Sequence, residues 1–526
     1  MKYLEVNGKP FIAIAGEAHN SSASNAGYME RVWAKAEEIG LNTVLMPLYW
    51  ELIEPVEGEF DFRLVDELIM QARERGMKIG FLWFGAWKNA QMYYAPEWVK
   101  TDLKRFWRAE IEKGQPKATL KNFYGMEYYS LSYLCEETKL ADAKAFVKTL
   151  EHIREFDEKE QTVICMQVEN ETGLQGAARE NSDYADKAFA ENVPQSFVDY
   201  MKSHTAEMAE DVKAAVENGA ASGSWSEVFG EVAEEVFSAY HISTYVGYLA
   251  AEGKKVYDIP MTVNCWLDKK EKPGMYPSGG PVARMLEVWK YGAPAIDIFA
   301  PDIYVKNFCE ICDEYKKLGN PLFIPETATH SHAGPRLVYA IGHHHAVCFA
   351  PFGFEDMGEP IGGSALYLFG GDPTDPLLSQ PQNVEEYRWY AKTLRSMEEK
   401  LAAAYGTNKL QAVINEENNG EKKDMLIFGK YGFKVIFSMP NVPMKVREDG
   451  VFLALQEDEN TFYIIVNGCL TYAAFSTMGK HVDVLSLDEG VFENGEFVST
   501  RRLNGDEVVQ RMIDKPTLVR LKLFAY

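Results

Sequence analysis

The chain has 526 residues, 46% hydrophobic and 25% charged, which gives room for roughly two to four domains and ample apolar material for a large core. A largely disordered chain and a disulfide-stapled miniprotein are excluded. Acids exceed bases by 78 to 54, and the net charge of −24 repels nucleic acid phosphates and anionic membrane surfaces while serving solubility.

The first apolar run, FIAIA (11–15), is too short for the core of a signal peptide and reads as a strand. It leads into a helix near 27–40. NTVLMPL (42–48) leads into a helix near 63–76, and KIGFLWF (78–84) is followed by a long connection to a helix near 141–156. TVICMQV (162–168) precedes a long, mostly helical stretch over 174–260. MTVNCW (261–266), AIDIFAP (295–301), PLFIPE (321–326) and HAVCFAP (345–351) continue the series, and a helix near 383–404 closes it.

Continuous apolar strands separated by helices predict a parallel sheet covered by helices on both faces. About eight such units suit a (β/α)8 barrel with a helical insertion at 174–260. No G-x-G-x-x-G or phosphate-binding loop supports a doubly wound sheet. After Tyr405 the texture changes to short strands such as KYGFKVIFSM, GVFLALQ and NTFYIIVNG, divided by Gly, Asn and Asp turns. The expected organisation is α/β: a catalytic TIM barrel over 1–404 and an antiparallel β domain over 405–526.

The seven cysteines, among them Cys309 and Cys312, are scattered and odd in number, which points to reduced thiols and a cytoplasmic location. They and His343–His345 match no standard zinc spacing, so no metal is expected. Nothing approaches a membrane-spanning helix of about 20 apolar residues. Association into a homo-oligomer is a weak expectation for a large cytoplasmic enzyme.

In a barrel enzyme the chemistry sits at the C-terminal ends of the strands. In this chain those ends carry Glu17 and His19; Trp50 and Glu51; Trp83, Trp87, Lys88 and Asn89; Glu169, Asn170 and Glu171; Asn264 and Trp266; Asp302 and Tyr304; Glu326; and, beyond strand 8, Tyr367. Aromatic faces pack on sugar rings, and carboxylates and amides bond sugar hydroxyls. Two carboxyls on opposite strands are the minimum for cleaving a glycosidic bond. Glu169 and Glu171, two apart, are expected on one face, with Glu169 as a buried hydrogen-bond or ion-pair partner. The tryptophans have a blander reading as filling for the barrel mouth.

Asn170-Glu171 after strand 4 and Glu326 after strand 7 resemble the clan of retaining (β/α)8 glycosidases. Within it the chain is similar to glycoside hydrolase family 35, the β-galactosidases. The pieces that carry the resemblance are GEAHN (16–20), NTVLMPLYWELIEPVEGEFDF (42–62), QVENE (167–171) and FIPET (323–327). It spans roughly 1–400, and a bacterial branch with a β-rich C-terminal domain would account for the rest. The resemblance implies Glu171 as acid/base, Glu326 as nucleophile, Asn170 on the sugar 2-hydroxyl and Tyr304 as hydrogen-bond partner of Glu326. It also implies carboxyls about 5–5.5 Å apart. Departures fall at Glu17-Ala18-His19-Asn20, Trp50-Glu51, Glu160-Gln161-Thr162 and Thr172.

The expected function is a retaining exo-β-glycosidase, most simply a β-galactosidase acting on a small carbohydrate with no cofactor. The alternative keeps the carboxylate pair and changes the sugar: a β-glucosidase or β-glucosyltransferase. A sugar-binding protein without catalysis is a third class, disfavoured by the intact pair.

Overall fold

The computed structural model describes residues 3–116, 118–120, 126–360, 380–416, 422–438, 447, 449–509 and 513–526. Eight parallel strands close into a barrel: β1 (Ala13–Glu17), β2 (Thr43–Tyr49), β3 (Lys78–Phe84), β4 (Val163–Val168), β5 (Met261–Cys265), β6 (Ile298–Ile303), β7 (Phe323–Thr327) and β8 (Cys348–Pro351). They pair in sequence order, β8 returning to β1. Their apolar residues run unbroken because one side of each strand faces the barrel interior and the other faces helices.

The elements differ in detail from the sequence reading. Phe11 belongs to a small hairpin, Leu4–Val6 with Lys9–Phe11, so β1 starts later. β6 runs on to Ile303, which puts Asp302 inside the strand, in register with Glu326 of β7. The helix after β3 starts at Glu136, its first turn carrying Glu136 and Glu137 where the helix dipole favours acids. The closing helix is two, Val384–Ser396 and Glu398–Ala404, broken at Met397.

The stretch between β4 and β5 folds into helices that end in the long Ala233–Val256. They gather around Phe197 and Trp225, whose rings pack with Phe229 and Tyr240 at 4.9–6.2 Å. Ala233–Val256 docks on Glu136–Asp157 through Gly253, where a Cβ would meet Leu150 and Phe146 at 2.6 and 2.7 Å.

The C-terminal strands are β9 (Leu410–Ile414), β10 (Lys422–Phe428), β11 (Tyr431–Ser438), β12 (Val451–Gln456), β13 (Thr461–Asn467), β14 (Thr471–Ser476), β15 (Val482–Glu493), β16 (Glu496–Leu503) and β17 (Thr517–Ala525). They form antiparallel sheets in the orders β9-β12-β13-β17-β15-β16 and β10-β11-β14. Strand alternation gives β12 two jobs. Val451, Leu453 and Leu455 join the barrel core, while Phe452 and Ala454 join a second core between the sheets. The barrel helix Ala333–His344 lies under the larger sheet. At Gly342 a Cβ would meet Ala412 and Leu453, both at 2.6 Å. Asn467 Nδ2 also donates to Tyr390 Oη of the helix Val384–Ser396 at 2.7 Å. All seven cysteines are free thiols. Among the described residues, no helix is long and apolar enough to cross a membrane.

Candidate active site

The strand ends bring four acids and one lysine to a single buried place. Glu17 ends β1, Asp302 and Glu326 sit side by side on β6 and β7, Glu171 lies just beyond β4, and Lys88 lies beyond β3. All five are 5% exposed or less. One carboxylate oxygen from each of Glu171, Asp302 and Glu326 lies within 4.8 Å of the other two.

Glu171 is held in an unusual backbone. Its φ is +47°, and Asn89 and Ala90 facing it stand at +52° and +57°. None is glycine, so each costs about 1–2 kcal/mol that neighbouring bonds must offset. Those bonds are present. Glu171 N–H donates to Asn264 Oδ1 at 2.9 Å, Ala90 N–H donates to the Glu171 carbonyl at 3.0 Å, and Asn89 Nδ2 donates to the Glu171 carboxylate. Asn264 Nδ2 turns to Asp302 Oδ2 at 2.9 Å and to Glu326 Oε1 at 3.4 Å. One β5 side chain therefore ties the acid/base candidate to the two carboxyls opposite.

Glu169 does not share a face with Glu171. With φ of +63° at Glu169, the period of two expected from an extended strand is lost after Val168. Its carboxyl points back, accepting from the backbone of Ala86 and Trp87 at 3.2 and 2.8 Å and facing Asp142. Asp142 accepts from Trp83 Nε1 and Tyr245 Oη, each at 2.8 Å. Gly85 is necessary here, because a Cβ would fall 2.4 Å from Trp83 Nε1 and 2.6 Å from Glu169.

Electrostatics separates the carboxyls. Burial, then the facing Glu326 charge, raises Glu171 to about 7. The same two causes lift Glu17 and Asp302 well above the carboxylate range. Tyr304 Oη donates to Glu326 Oε2 at 2.7 Å, and Trp266, half-buried, bonds the Glu171 side chain. Lys88 Nζ donates to Asn170 Oδ1 at 2.9 Å.

Other expected site residues stand elsewhere. Trp50, Trp83 and Trp87 are fully buried. Trp50 Nε1 donates to Glu54, Trp83 packs on Phe146 and Trp87 meets Tyr245 edge-on. They are core, because large rings at a barrel mouth bury more surface against the covering helices than a rim position allows. Glu51 pairs with Lys100 at 3.1 Å on the half-exposed side of its helix. His19 is partly exposed, its Nε2 2.7 Å from Asp356 Oδ2. Tyr367 lies outside the described residues.

Asn264, Asp302, Lys88 and Asn89 stand among the strand-end residues read from the sequence, but none of them was given a role there. The signal was present for two of them. Asn264 and Asp302 are polar residues inside strands otherwise apolar throughout, and a buried polar group needs partners. The three converging carboxylates have a spacing that suits a divalent cation, but the Lys88 ammonium already supplies positive charge to them. A second group of suitable spacing, Asp313 with His343 and His344, lies on the outer helices, with His343 Nδ1 bonded to the Ala412 carbonyl.

A family model described as Beta-galactosidase, glycoside hydrolase family 42, matches residues 23–211. The glycoside hydrolase resemblance is therefore supported, while the model that matches is that of family 42 and does not single out the expected family 35. Residues 389–513 match a domain of unknown function, DUF5597, which begins in the last barrel helices. A β-galactosidase from Xanthomonas manihotis is 33% identical over 76 residues, 14% of this chain and 12% of that protein. Among solved structures, a β-galactosidase from Rahnella sp. R3 is 13% identical with a TM-score of 0.48, covering 77% of this chain and 58% of that one. A β-galactosidase from Bacillus circulans sp. alkalophilus is 10% identical with a TM-score of 0.46, covering 97% of this chain and 99% of that one. The chain thus spans less than two thirds of the Xanthomonas and Rahnella proteins.

Proposed function

We propose that the chain is a retaining exo-β-glycosidase that releases terminal β-linked galactose. The observation that carries this reading is the facing pair Glu171 and Glu326, with carboxylate oxygens within 4.8 Å and one member lifted to about 7. Such closeness leaves no room for a water between nucleophile and sugar, so it favours double displacement over inversion.

In the first step a Glu326 oxygen attacks the anomeric carbon while Glu171 gives its proton to the glycosidic oxygen. The carbon–oxygen bond breaks and the aglycone leaves as an alcohol. Glu171, now a carboxylate, takes a proton from water, whose oxygen displaces Glu326 and restores the original anomeric configuration. Asn170 is the candidate for the 2-hydroxyl. Galactose rests on the family match over 23–211 and on the curated β-galactosidase matched over 76 residues. Exo action fits the burial of both carboxyls, which are 5% exposed or less. Free thiols at all seven cysteines support a reducing, cytoplasmic setting.

The test is a panel of nitrophenyl glycosides: β-galactoside, β-glucoside, β-fucoside, α-arabinoside and β-xyloside, with E326Q alongside and the first-formed anomer read by NMR. Preference for the β-galactoside, release of the β-anomer and loss in E326Q are the expected results. Preference for the β-glucoside would reassign the sugar, an inverted product would sink the retaining mechanism, and full activity in E326Q would sink the site.

A further inference from the structure

Lys88 is a charged side chain that the proposed reaction does not use. It is 4% exposed, packs over the Phe84 ring at 5.1 Å and donates to Asn170 Oδ1 at 2.9 Å. Around it stand Glu17 from β1, Glu171 beyond β4, Asp302 from β6 and Glu326 from β7. Tyr304 faces Glu326 from the end of β6, while Cys265 of β5 and Tyr128 face Glu171. Burial alone pulls an ammonium down, but here the four carboxyls more than offset it and hold Lys88 above its ordinary range.

An ammonium has three donors and no acceptor. Whatever faces Lys88 on Asn170 must therefore be the carboxamide oxygen, so the orientation of that amide is fixed by chemistry. Asn170 Nδ2 is then left on the other side, buried and without a hydrogen-bond partner. A buried N–H2 with nothing to bond is costly unless a ligand meets it.

We propose that Lys88 is a positioning residue of the glycosyl site: it turns the Asn170 N–H2 toward the sugar. This rests on the proposed function. That reading already has Asn170 meet the group at C2, which must accept a hydrogen bond; Lys88 is what fixes the amide for it. A 2-hydroxyl does so; a 2-deoxy sugar or a protonated 2-amino sugar does not.

The experiment compares wild type, K88M and the double variant E17Q/K88M. The double variant removes a buried acid with the cation, so it keeps the test open if K88M alone fails to fold. For each, kcat/KM is measured on the preferred nitrophenyl glycoside and on its 2-deoxy analogue, with E326Q as control. Wild type is expected to favour the 2-hydroxy substrate strongly, and the Lys88 variants to lose about tenfold or more of that preference. A folded variant that keeps the wild-type preference overturns the inference and leaves the proposed function standing. A wild type silent on every glycoside overturns both.

Discussion

Asn264 accepts the backbone N–H of Glu171 at 2.9 Å, so a residue of β5 holds the acid/base candidate of the β4 loop in its left-handed conformation. The bond is buried, and losing it leaves an orphaned N–H beside a strained φ. N264A should lower kcat/KM about 100-fold, equivalent to about 2.7 kcal/mol of transition-state stabilisation. Steady-state kinetics with a thermal melt check this; a loss under threefold in a folded variant contradicts it.

Activity should fall on the alkaline side with a midpoint near 7. Glu171 is raised to about 7 by burial and by Glu326, and only its protonated form can assist the leaving group. The limb should weaken with a dinitrophenyl leaving group, which needs little protonation. A kcat/KM profile flat from pH 6 to 9 on an alkyl glycoside would reject the assignment.

Stability should also fall as pH rises above 6.5. Burial raises Glu171 and Glu180 to about 7 and holds Glu17, Glu169 and Asp302 above the carboxylate range, so as pH rises through 7 the folded chain must give up protons that the unfolded chain has already released. Each such group still protonated costs about 1.4 kcal/mol per pH unit. Below 6.5 the sign is mixed, because burial lowers His241 to about 4, and a histidine neutral in the fold gains stability with rising pH. A melting temperature lower at pH 8.5 than at 6.5 is expected, with a shallower slope in E180Q. A rising melting temperature over that range refutes it.

Gly342 lets the helix Ala333–His344 touch the C-terminal sheet. In G342V the new side chain would collide with Ala412 and Leu453, at a cost of about 2 kcal/mol or more. The melt should shift down while kcat of the folded protein stays within twofold. An unchanged melt would mean that the sheet yields freely.

The barrel was legible because β2, β3 and β4 are buried on both faces and so read as unbroken apolar runs. Strand-end polarity brought Glu171 and Glu326 forward together with several other acids, and the resemblance carried by QVENE and FIPET, not polarity, chose these two. The fate of Glu169 was not legible, since its positive φ follows from contacts with Ala86, Trp87 and Asp142 that lie far off in sequence. Lys88 was visible only as a charge after β3; its meaning depends on four acids that converge from β1, β4, β6 and β7. In the C-terminal part, β16 escaped notice because nearly all of it is exposed, with no apolar side to give an alternation.

The helix Ala333–His344 is buried along almost its whole length, between barrel and sheet. During synthesis the barrel strands are complete before the strands that cover this helix have left the ribosome. Until they arrive, a side rich in Leu, Val, Ile and Ala lies open to water and to other chains. A gene truncated after Ala404 should therefore yield an aggregating polypeptide in place of a smaller enzyme, and the late strands act as a fold-completing shield for what precedes them.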